Sequence, residues 1–492
     1  MSTLRLSNLT PTKWLCFAIV LFCMFGAPEL VSGTGAMTDL GARIICIYVG
    51  MAFGWLTLDL AWPSVLGILA VGLSGYSSVN NVLKMCFGNS SALLVFFVFI
   101  ITGVIDKAGV SRWIALHICS LPIGRGRPWV MTFCILAAIM TLTLFIGVSP
   151  GVLVVWAIFY SICEVYGIKP GEHWATMVMV AIPFFGSVTA SIFPFKSLPV
   201  VALGAYSQLS GGDVIDFPQY FAWSLIVDSM IVVLTLAFMR FVLRPDVSKI
   251  YNAKVYFNPE ELRLTTYQKI VLLWFFLFIV MMMVPSLLPS HWELTKFFKK
   301  LGNTGCAALM CAIFFAFDFV QNESMRKTIA SSVRYDALLV NFSAIGIAGV
   351  MSNDASGICQ WFVDLVTPLT SGQSTVVILM LLVAMASLMT QFLNNLGSTA
   401  IYIPIAYSVA VAANINPALV CMCCIAALNI GILTPSGSNP AAMLYSNAVW
   451  APGLRPYAYA ACFLAINFAV LMLVGVPIAE FFFPSILPNS VL

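Results

Sequence analysis

The sequence predicts an all-α polytopic membrane protein made of two inverted structural repeats. Of its 492 residues, 61% are hydrophobic and 9% are charged, whereas a soluble globular chain carries roughly 25% charged residues. Most of the apolar sequence falls into segments long enough to cross a bilayer. Short stretches rich in Gly, Pro and small polar residues interrupt such segments at corresponding positions of the two halves. We expect about 11 transmembrane helices plus two re-entrant hairpins.

Charge and cysteine content exclude several classes of function. The net charge of +4 is small and dispersed, so nucleic acid is not an expected partner. The three histidines form no metal-binding motif, and the 14 cysteines lie mostly in apolar runs without the spacing of a zinc site or disulfide framework. We expect a multi-pass protein of the cytoplasmic (inner) membrane, surrounded by lipid, with no cofactor.

The first half, residues 1–243, begins with apolar segments at 14–32, 41–73 and 91–106. The segment at 14–32 is interpreted as a membrane helix, because no small-residue cleavage site followed by a soluble domain comes after it. Residues 41–73 are long enough for two short spans, with Asp59 between them.

Two interruptions follow in the first half. Residues about 129–165 predict a re-entrant hairpin, because two arms of about 15 residues meet at the tip 147–151, and a full span needs about 20. Residues about 174–210 predict a helix broken near 189–199, and the last span of this half covers 219–243.

The second half, residues 270–492, repeats this order after a linker at 244–269. Lys and Arg cluster in the linker, which places it in the cytoplasm by the positive-inside rule. A second hairpin is predicted at about 373–412 and a second broken helix at about 418–449. If the repeats are inverted, both hairpin tips should meet in the interior of the protein.

Two runs of identical residues indicate the repeat. The first run has a constant spacing of 247 positions: Phe145, Tyr160, Ser161, Ile168 and Pro170 match Phe392, Tyr407, Ser408, Ile415 and Pro417. The second has a spacing of 241: Pro194, Ser197 and Pro199 match Pro435, Ser438 and Pro440. Interrupted helices at corresponding positions of two halves are a good indication of a transporter's binding site.

The tips and breaks therefore supply the candidate site. A broken helix exposes backbone N–H groups at a half-helix N-terminus, which favours an anion, and neighbouring hydroxyls and amides complete its binding. The alternative is that these side chains only satisfy freed backbone groups. The candidate substrate-binding residues are Ser149, Thr189, Lys196, Ser197, Asn394, Asn395, Ser398, Thr399, Thr434, Ser436, Gly437, Ser438, Asn439 and Pro440.

Lys196 is the most informative single residue, because a lysine at membrane depth is costly and is a functional candidate by default. The alternatives are a lysine that reaches an interface, or one that pairs with Asp228 or Glu164. Five acids lie in or beside apolar stretches and could relay a proton, although such acids more often cap or pair near an interface: Asp59, Glu164, Asp228, Asp318 and Asp354.

From about 45 to 485 the chain resembles the divalent anion/sodium symporters, the dicarboxylate, citrate and sulfate carriers of the ion transporter superfamily. The resemblance includes the unit Asp106-Lys107-Ala108-Gly109, the hairpin-tip sequence Asn394-Asn395-Leu396, and the breaks Thr434-Pro435 and Asn439-Pro440. It implies a secondary active, elevator-type carrier of a small organic anion and a homodimer. In this family such motifs hold both sodium and the substrate carboxylate.

The first hairpin tip departs from the family pattern. Gly147-Val148-Ser149 stands where the family has Ser-Asn-Thr, so the amide is missing. We interpret Lys196 as a substitute whose ammonium replaces a sodium ion, which makes sodium-independent exchange possible. In the second half a sodium ion could still lie near Asn395, Ser398 and Thr434, so whether sodium is a cofactor stays open.

Three other functions remain as alternatives. A cation/proton antiporter or an inorganic oxyanion exporter of the same superfamily would need a buried acid pair at the breaks, and the sequence places a lysine there. A membrane-embedded enzyme would need paired acids, a Ser/His set or metal-ligand spacing, and none is evident. A channel is not excluded by re-entrant hairpins alone.

Overall fold

The computed structural model describes residues 11–124, 126–251, 263–289, 291–320, 335–351 and 373–483, with single positions and short runs between 329 and 368. Within these ranges the regular secondary structure is helical, as predicted. Nine of the described helices are long and apolar enough to cross a membrane, or ten if one bent pair counts as a single span. The polytopic all-α architecture is thereby confirmed.

The chain begins with six helices that lead up to the first hairpin. Asp59 starts the third of them, because its Oδ1 accepts a hydrogen bond of 2.7 Å from the Ala61 backbone N–H. The helices are α1 (Pro11–Leu21), α2 (Asp39–Thr57), α3 (Ala61–Leu73), α4 (Val79–Phe87), α5 (Ser90–Lys107) and α6 (Val110–Cys119).

The two interruptions of the first half follow. Its helices are α7 (Pro128–Ile146), α8 (Val148–Val165), α9 (His173–Ala190), α10 (Ser197–Leu209) and α11 (Phe217–Phe238). Gly147 alone separates α7 from α8, with a φ of 90° that a side chain would strain. The hairpin arms are therefore 19 and 18 residues long. The expected arm length of about 15 was wrong, because helical geometry continues almost to the tip.

The second half contains the corresponding elements. They are α12 (Thr266–Leu287), α13 (Glu293–Val320), α14 (Tyr335–Met351), α15 (Thr375–Phe392), α16 (Asn395–Ala412), α17 (Pro417–Leu428), α18 (Asn439–Ser446), α19 (Arg455–Val470) and α20 (Val476–Phe482). Helical geometry begins within the predicted tip sequence Asn394-Asn395-Leu396, since Asn395 is the first residue of α16. The second break starts earlier than expected, because α17 ends at Leu428 and α18 starts only at Asn439.

Reciprocal contacts support the repeat relation. Helix α10 packs on α16, and its counterpart α18 packs on α8. Asn447 Nδ2 donates to the Tyr160 hydroxyl at 2.7 Å, and the rings of Tyr206 and Tyr407 lie 5.9 Å apart. Tyr407 is the 247-spaced match of Tyr160, and Asn447 lies 241 positions after Tyr206. Tyr160 of the first half therefore contacts Asn447 of the second, and the corresponding residues Tyr407 and Tyr206 are in contact with the halves exchanged. A two-fold relation between the halves requires such reciprocal contacts.

The broken helices lie at the centre of the protein. Almost every residue of α9 and of α17 is buried, and α7, α8, α15 and α16 pack against them. Irregular backbone inside a membrane is tolerated where it is surrounded by protein or lines a cavity. This packing explains how two polar, Gly- and Pro-containing breaks can lie within apolar sequence.

Candidate functional site

A cavity of about 400 Å³ lies where the hairpin tips and the helix breaks meet. Both halves contribute to its wall, as the inverted-repeat interpretation expects. Eight of the fourteen candidate residues line it: Ser149, Lys196, Ser197, Asn394, Asn395, Ser438, Asn439 and Pro440. The N-termini of α10 and α18 open onto this cavity, because Ser197 and Asn439 are their first residues.

The other six candidates lie outside the cavity lining. Most of the hydroxyls among them donate to backbone carbonyls, whereas the exposed Ser436 hydroxyl contacts the Thr434 hydroxyl. Thr189 Oγ1 donates to Phe185 O at 2.8 Å, and Ser398 Oγ to Leu393 O at 3.3 Å. The remaining four are Thr399, Thr434, Ser436 and Gly437. For Thr189, Ser398, Thr399 and Thr434 the structure favours the alternative in which polar side chains satisfy backbone groups.

Lys196 lines the cavity and stabilises the end of the first hairpin arm. Its Nζ donates to the Leu144 carbonyl at 2.7 Å, and its side chain is half-buried. Leu144 lies in the last turn of α7, where a cation is favoured by unpaired carbonyls and the helix dipole. Among the described residues it forms no ion pair: Asp228 contacts Ser191 instead, and Glu164 is exposed.

The second hairpin tip forms a polar network. Asn395 Oδ1 accepts from Thr390 Oγ1 at 2.9 Å, and Asn395 Nδ2 donates to the Asn429 carbonyl at 2.8 Å. Asn429 Nδ2 in turn donates to Ser187 O at 2.6 Å. Asn429 and Ser187 both line the cavity and join the two halves there. Neither residue was among the predicted candidates, because the first break was expected to begin at 189 and the second at Thr434.

Gln391 holds the second break in place. Its Nε2 donates to Ile430 O at 2.8 Å, and its Oε1 accepts from the N–H groups of Ile432 and Leu433 at 3.1 and 2.9 Å. One buried amide thereby replaces the helical hydrogen bonds that the break removes. In the sequence, this role is indicated by the position of Gln391 near the end of the mostly apolar helix α15.

Oxygen atoms converge beside this network. A Cβ built on Gly431 would lie 2.4 Å from Asn395 Oδ1, 2.6 Å from Thr390 O and 2.7 Å from Gly437 O. Amide and carbonyl oxygens are the donors that hard cations prefer. The oxygen atoms here are of the kind that would suit a sodium ion, and a sodium site near Asn395 stays a prediction. The Ser398 and Thr434 hydroxyls donate to the carbonyls of Leu393 and Gln391, which leaves their lone pairs for a cation, so their place in a sodium site also stays a prediction.

The first half offers no such donor set. A Cβ on Gly186 would lie 3.0 Å from Val148 Cγ1 and 3.2 Å from Thr143 Oγ1. A methyl carbon of Val148 therefore lies at the position where the second half has the amide oxygen of Asn395. Within the described part of the chain, the buried Thr143 hydroxyl has no hydrogen-bond partner. The residues here do not fit a sodium ion.

One face of α5 also lines the cavity, and its residues were not among the predicted candidates. These residues recur every three or four positions and are mostly apolar, ending in an exposed aspartate: Val95, Val98, Phe99, Thr102, Gly103 and Asp106. Gln268 Nε2 donates to Ala108 O at 3.0 Å, so the Asp106 end of the cavity adjoins the start of α12.

The remaining acidic candidates lie away from the cavity. Asp354 begins a short 3-10 turn, and Glu164 is exposed near the end of α8. The side chain of Asp318 lies outside the described residues. Asp228, in the middle of α11, is buried and contacts Ser191 at the first break.

In this bundle of membrane helices, four interrupted segments meet at a cavity lined by both polar and apolar residues, an arrangement typical of membrane transporters. The family model described as "Citrate transporter" matches residues 48–413. The chain belongs to this family, which confirms the resemblance to the divalent anion/sodium symporters. It is a multi-pass cell-membrane transporter of the organic-anion class and not an enzyme.

Individual relatives agree with this assignment. The chain is 22% identical to the sodium-dependent dicarboxylate transporter SdcS of Staphylococcus saprophyticus over 430 residues, covering 83% of this chain and 80% of the relative. It is 26% identical to solute carrier family 13 member 2 of Mus musculus over 35% of this chain and 26% of that protein.

A solved structure has the same general fold. MtrF of Neisseria gonorrhoeae, described as one of a class of antimetabolite efflux pumps, superposes with a TM-score of 0.57 over 90% of this chain and 96% of its own. At 12% identity this likeness concerns the fold alone.

Proposed function

We propose that the chain is a secondary active carrier of a small organic anion such as a dicarboxylate, and that Lys196 supplies the charge that sodium supplies in relatives. The observation that carries this proposal is the position of the Lys196 ammonium. It lines the cavity beside the N-terminus of α10 and contacts a carbonyl, with no acid in ionic contact among the described residues. Its positive charge is therefore available to an anion.

Electrostatics support sodium independence at the first-half site. Val148 offers no oxygen to a cation. Two like charges about 4 Å apart repel by about 4 kcal/mol at an effective dielectric constant of about 20. A sodium ion near Lys196 would therefore be displaced. Transport would then be driven by exchange of one anion for another or by protons, while the second-half donors could still hold one sodium ion.

The cavity also suggests the state of the carrier. Its exposed end at Asp106 adjoins α12, which follows the basic linker that the charge pattern places in the cytoplasm. The cavity would then open toward the cytoplasm. We expect an elevator-type movement of the hairpins and broken helices, within a homodimer. Labelling of Ser149→Cys from each side of the membrane and light scattering in detergent would test these two expectations.

The antiporter and oxyanion-exporter alternatives receive less support. The described cavity lining contains one acid, Asp106, at its exposed end, whereas cation exchange would need a buried acid pair between the breaks. In a screen that includes sulfate and arsenite, transport of those ions but not of carboxylates would favour the exporter.

The test is uptake of labelled succinate and of labelled citrate into proteoliposomes loaded with the same anion. We expect wild-type exchange to persist when choline replaces sodium. Lys196→Ala should lower transport about thirtyfold, because removing one partner of a buried charge pair costs about 2 kcal/mol or more. Lys296→Ala, which removes a surface lysine paired with Glu293, is the matched control and should transport normally.

Two results would contradict the proposal. A steep sodium requirement in wild type would exclude the substitution by Lys196. Full activity of a well-folded Lys196→Ala protein would show that the anion's charge is balanced by another group.

A further inference from the structure

Asp228 is a buried acid that the proposed anion site does not use. It lies in the middle of α11, about 16 Å along the axis from the first residue at 1.5 Å per residue. Its side chain is 2% exposed. An ionised carboxylate at this depth is costly unless a cation or several hydrogen bonds compensate for the lost water.

The surroundings of Asp228 provide little compensation. Its hydrogen-bond contact in the described structure is Ser191 Oγ, 3.1 Å from Asp228 Oδ2. Tyr220 is the titratable group beside it, and the Tyr220 hydroxyl donates to Ser191 O at 2.7 Å. Lys196 is directed toward Leu144 instead.

No charged group on the packed helices interacts with Asp228 within the described residues. The helices that pack against α11 are α9, α12, α19 and α20. Their Lys, Arg, His and Glu side chains lie near helix ends, as does the arginine just after α11: His173, Lys269, Arg455, Glu480 and Arg240. The neutral titratable groups on these helices are Tyr267, Tyr457, Tyr459 and Cys462. Asp228 is therefore isolated from compensating charge.

The number of hydrogen atoms available around Ser191 indicates in which protonation state Asp228 is buried. Ser191 Oγ lies 2.6 Å from Val188 O and 3.1 Å from Asp228 Oδ2. A serine hydroxyl has one hydrogen, and the Val188 carbonyl can only accept. If the hydroxyl donates along the shorter contact, the carboxyl group must supply the hydrogen of the other. With Asp228 ionised, the hydroxyl can serve both acceptors only by sharing its one hydrogen. With Asp228 protonated, both contacts are full hydrogen bonds, which favours the protonated acid.

We propose that Asp228 binds and releases the proton that drives net anion transport, and that Ser191 transmits this change to the first helix break. On release, the carboxyl O–H bond breaks and the proton passes to water. The Ser191 hydroxyl then turns from the Val188 carbonyl to the carboxylate. Val188 O, in the last turn of α9 directly before the loop that carries Lys196, then loses the hydroxyl donor and keeps the Ser191 backbone N–H at 3.2 Å. The inference rests on the proposed carrier function.

The experiment separates net transport from exchange. Proteoliposomes are prepared with wild type, Asp228→Asn and the control Asp216→Asn, whose aspartate is exposed at the N-terminus of α11. Labelled succinate and citrate are offered with an outside-acid pH gradient, or with the unlabelled anion inside and no gradient. One coupled proton gives about tenfold accumulation per pH unit.

We expect wild type and Asp216→Asn to accumulate anion with the gradient. Asp228→Asn should keep exchange within about twofold of wild type and lose the response to pH, because it resembles the permanently protonated acid. An Asp228→Asn protein that responds to the gradient like wild type would overturn the proposal. So would wild-type exchange without any gradient response. Absence of wild-type exchange would instead contradict the carrier function itself.

Infrared spectroscopy provides a second measurement that does not depend on transport. At neutral pH wild type should show the C=O stretch of a protonated carboxyl group that is missing in Asp228→Asn. Ser191→Ala, which leaves the acid in place, should shift this band and weaken the gradient response. If Asp228→Asn fails to fold, the Ser191→Ala result decides: an unchanged band and a wild-type gradient response would overturn the proposal.

Discussion

Thr143 and Thr390 stand 247 positions apart at the same place in the two hairpins, yet their surroundings differ. Thr390 Oγ1 contacts Asn395 Oδ1 and the Leu428 carbonyl, at 2.9 and 2.7 Å. The buried Thr143 hydroxyl has no partner among the described residues, because Val148 stands where the second half has an amide. The second half thus keeps a complete polar network that the first half has lost.

The difference extends to the helix breaks. Gly437 lies 241 positions after Lys196. A Cβ on Gly437 would lie 2.9 Å from the Gln391 carbonyl, whereas Lys196 reaches the carbonyl of Leu144, the 247-spaced counterpart of Gln391. Both positions are therefore directed toward the end of their hairpin arm. In the first half the Lys196 ammonium occupies this space, and in the second half the backbone carbonyl oxygens of Thr390 and Gln391 border it.

Among the substitutions that test this difference between the two halves, Gly431→Ala is expected to have the largest effect on stability and transport. The new methyl group would lie 2.4 to 2.7 Å from Asn395 Oδ1 and two backbone carbonyls. Backbone held by a hydrogen-bonded network cannot move away easily, so we expect a loss of about 3 kcal/mol in stability. Anion exchange should be lost with it. Thermal unfolding in detergent and exchange in proteoliposomes measure the two effects.

Gly186→Ala is the matched substitution in the first half. Its methyl group would meet the side chains of Val148, Ile139 and Thr143 at 3.0 to 3.2 Å. Side chains can shift by a few tenths of an ångström, so the cost should be nearer about 1 kcal/mol. Equal losses in both variants would mean that the two centres are equally rigid, and the contrast drawn between them would not hold.

The sequence predicted the class of protein, the interruptions of the apolar segments and eight of the residues that line the cavity. It could do so because Gly and Pro interrupt apolar segments for reasons that are local and visible in the chain. Asn429 and Gln391 were missed because their roles depend on partners 34 to 242 positions away. Likewise, nothing in the sequence separates the Ser197 hydroxyl at the cavity from the Thr189 hydroxyl bonded to its own helix.

A smaller effect is expected when the first half is given the amide of the second. Val148→Asn would place a side-chain oxygen near the unpaired Thr143 hydroxyl, as Asn395 does for Thr390. One recovered buried hydrogen bond contributes about 1 kcal/mol. We expect a modest rise in melting temperature, and in the double variant Val148→Asn/Lys196→Ala a new stabilisation by sodium over choline.

The control for this prediction is Val148→Ala, which removes methyl groups without supplying a partner and should lower the melting temperature. If Val148→Asn also lowers it, Thr143 is not the group that lacks a partner. Sodium stabilisation that is equal in wild type and in the double variant would show that the ammonium and the missing amide do not control cation binding here.

The smallest difference concerns the loops before α9 and α17. In the second half Asn416 holds its loop through neutral bonds, donating to Phe483 O at 2.6 Å and accepting from Ala418 N at 3.0 Å. In the first half Lys249 Nζ contacts Glu172 Oε1 at 2.6 Å. Partial burial raises the pKa of Glu172, but hydrogen bonds and charge from Lys249 and Lys169 lower it more, so the pKa lies below its ordinary value.

The Lys249–Glu172 ion pair predicts that the stability contributed by the first-half loop depends on pH, whereas that contributed by the second-half loop does not. A lowered pKa in the folded state means that ionised Glu172 stabilises the fold above the unfolded-state pKa of about 4.3. The contribution disappears as pH falls through the lower pKa of the folded state.

Since both side chains are partly exposed, Glu172→Gln should cost only about 0.5 kcal/mol at neutral pH. The difference in melting temperature between this variant and wild type should therefore shrink on acidification and in high salt, whereas that caused by Asn416→Ala should stay constant. A Glu172→Gln difference that is independent of pH would mean that the loop is held by packing rather than by the ion pair.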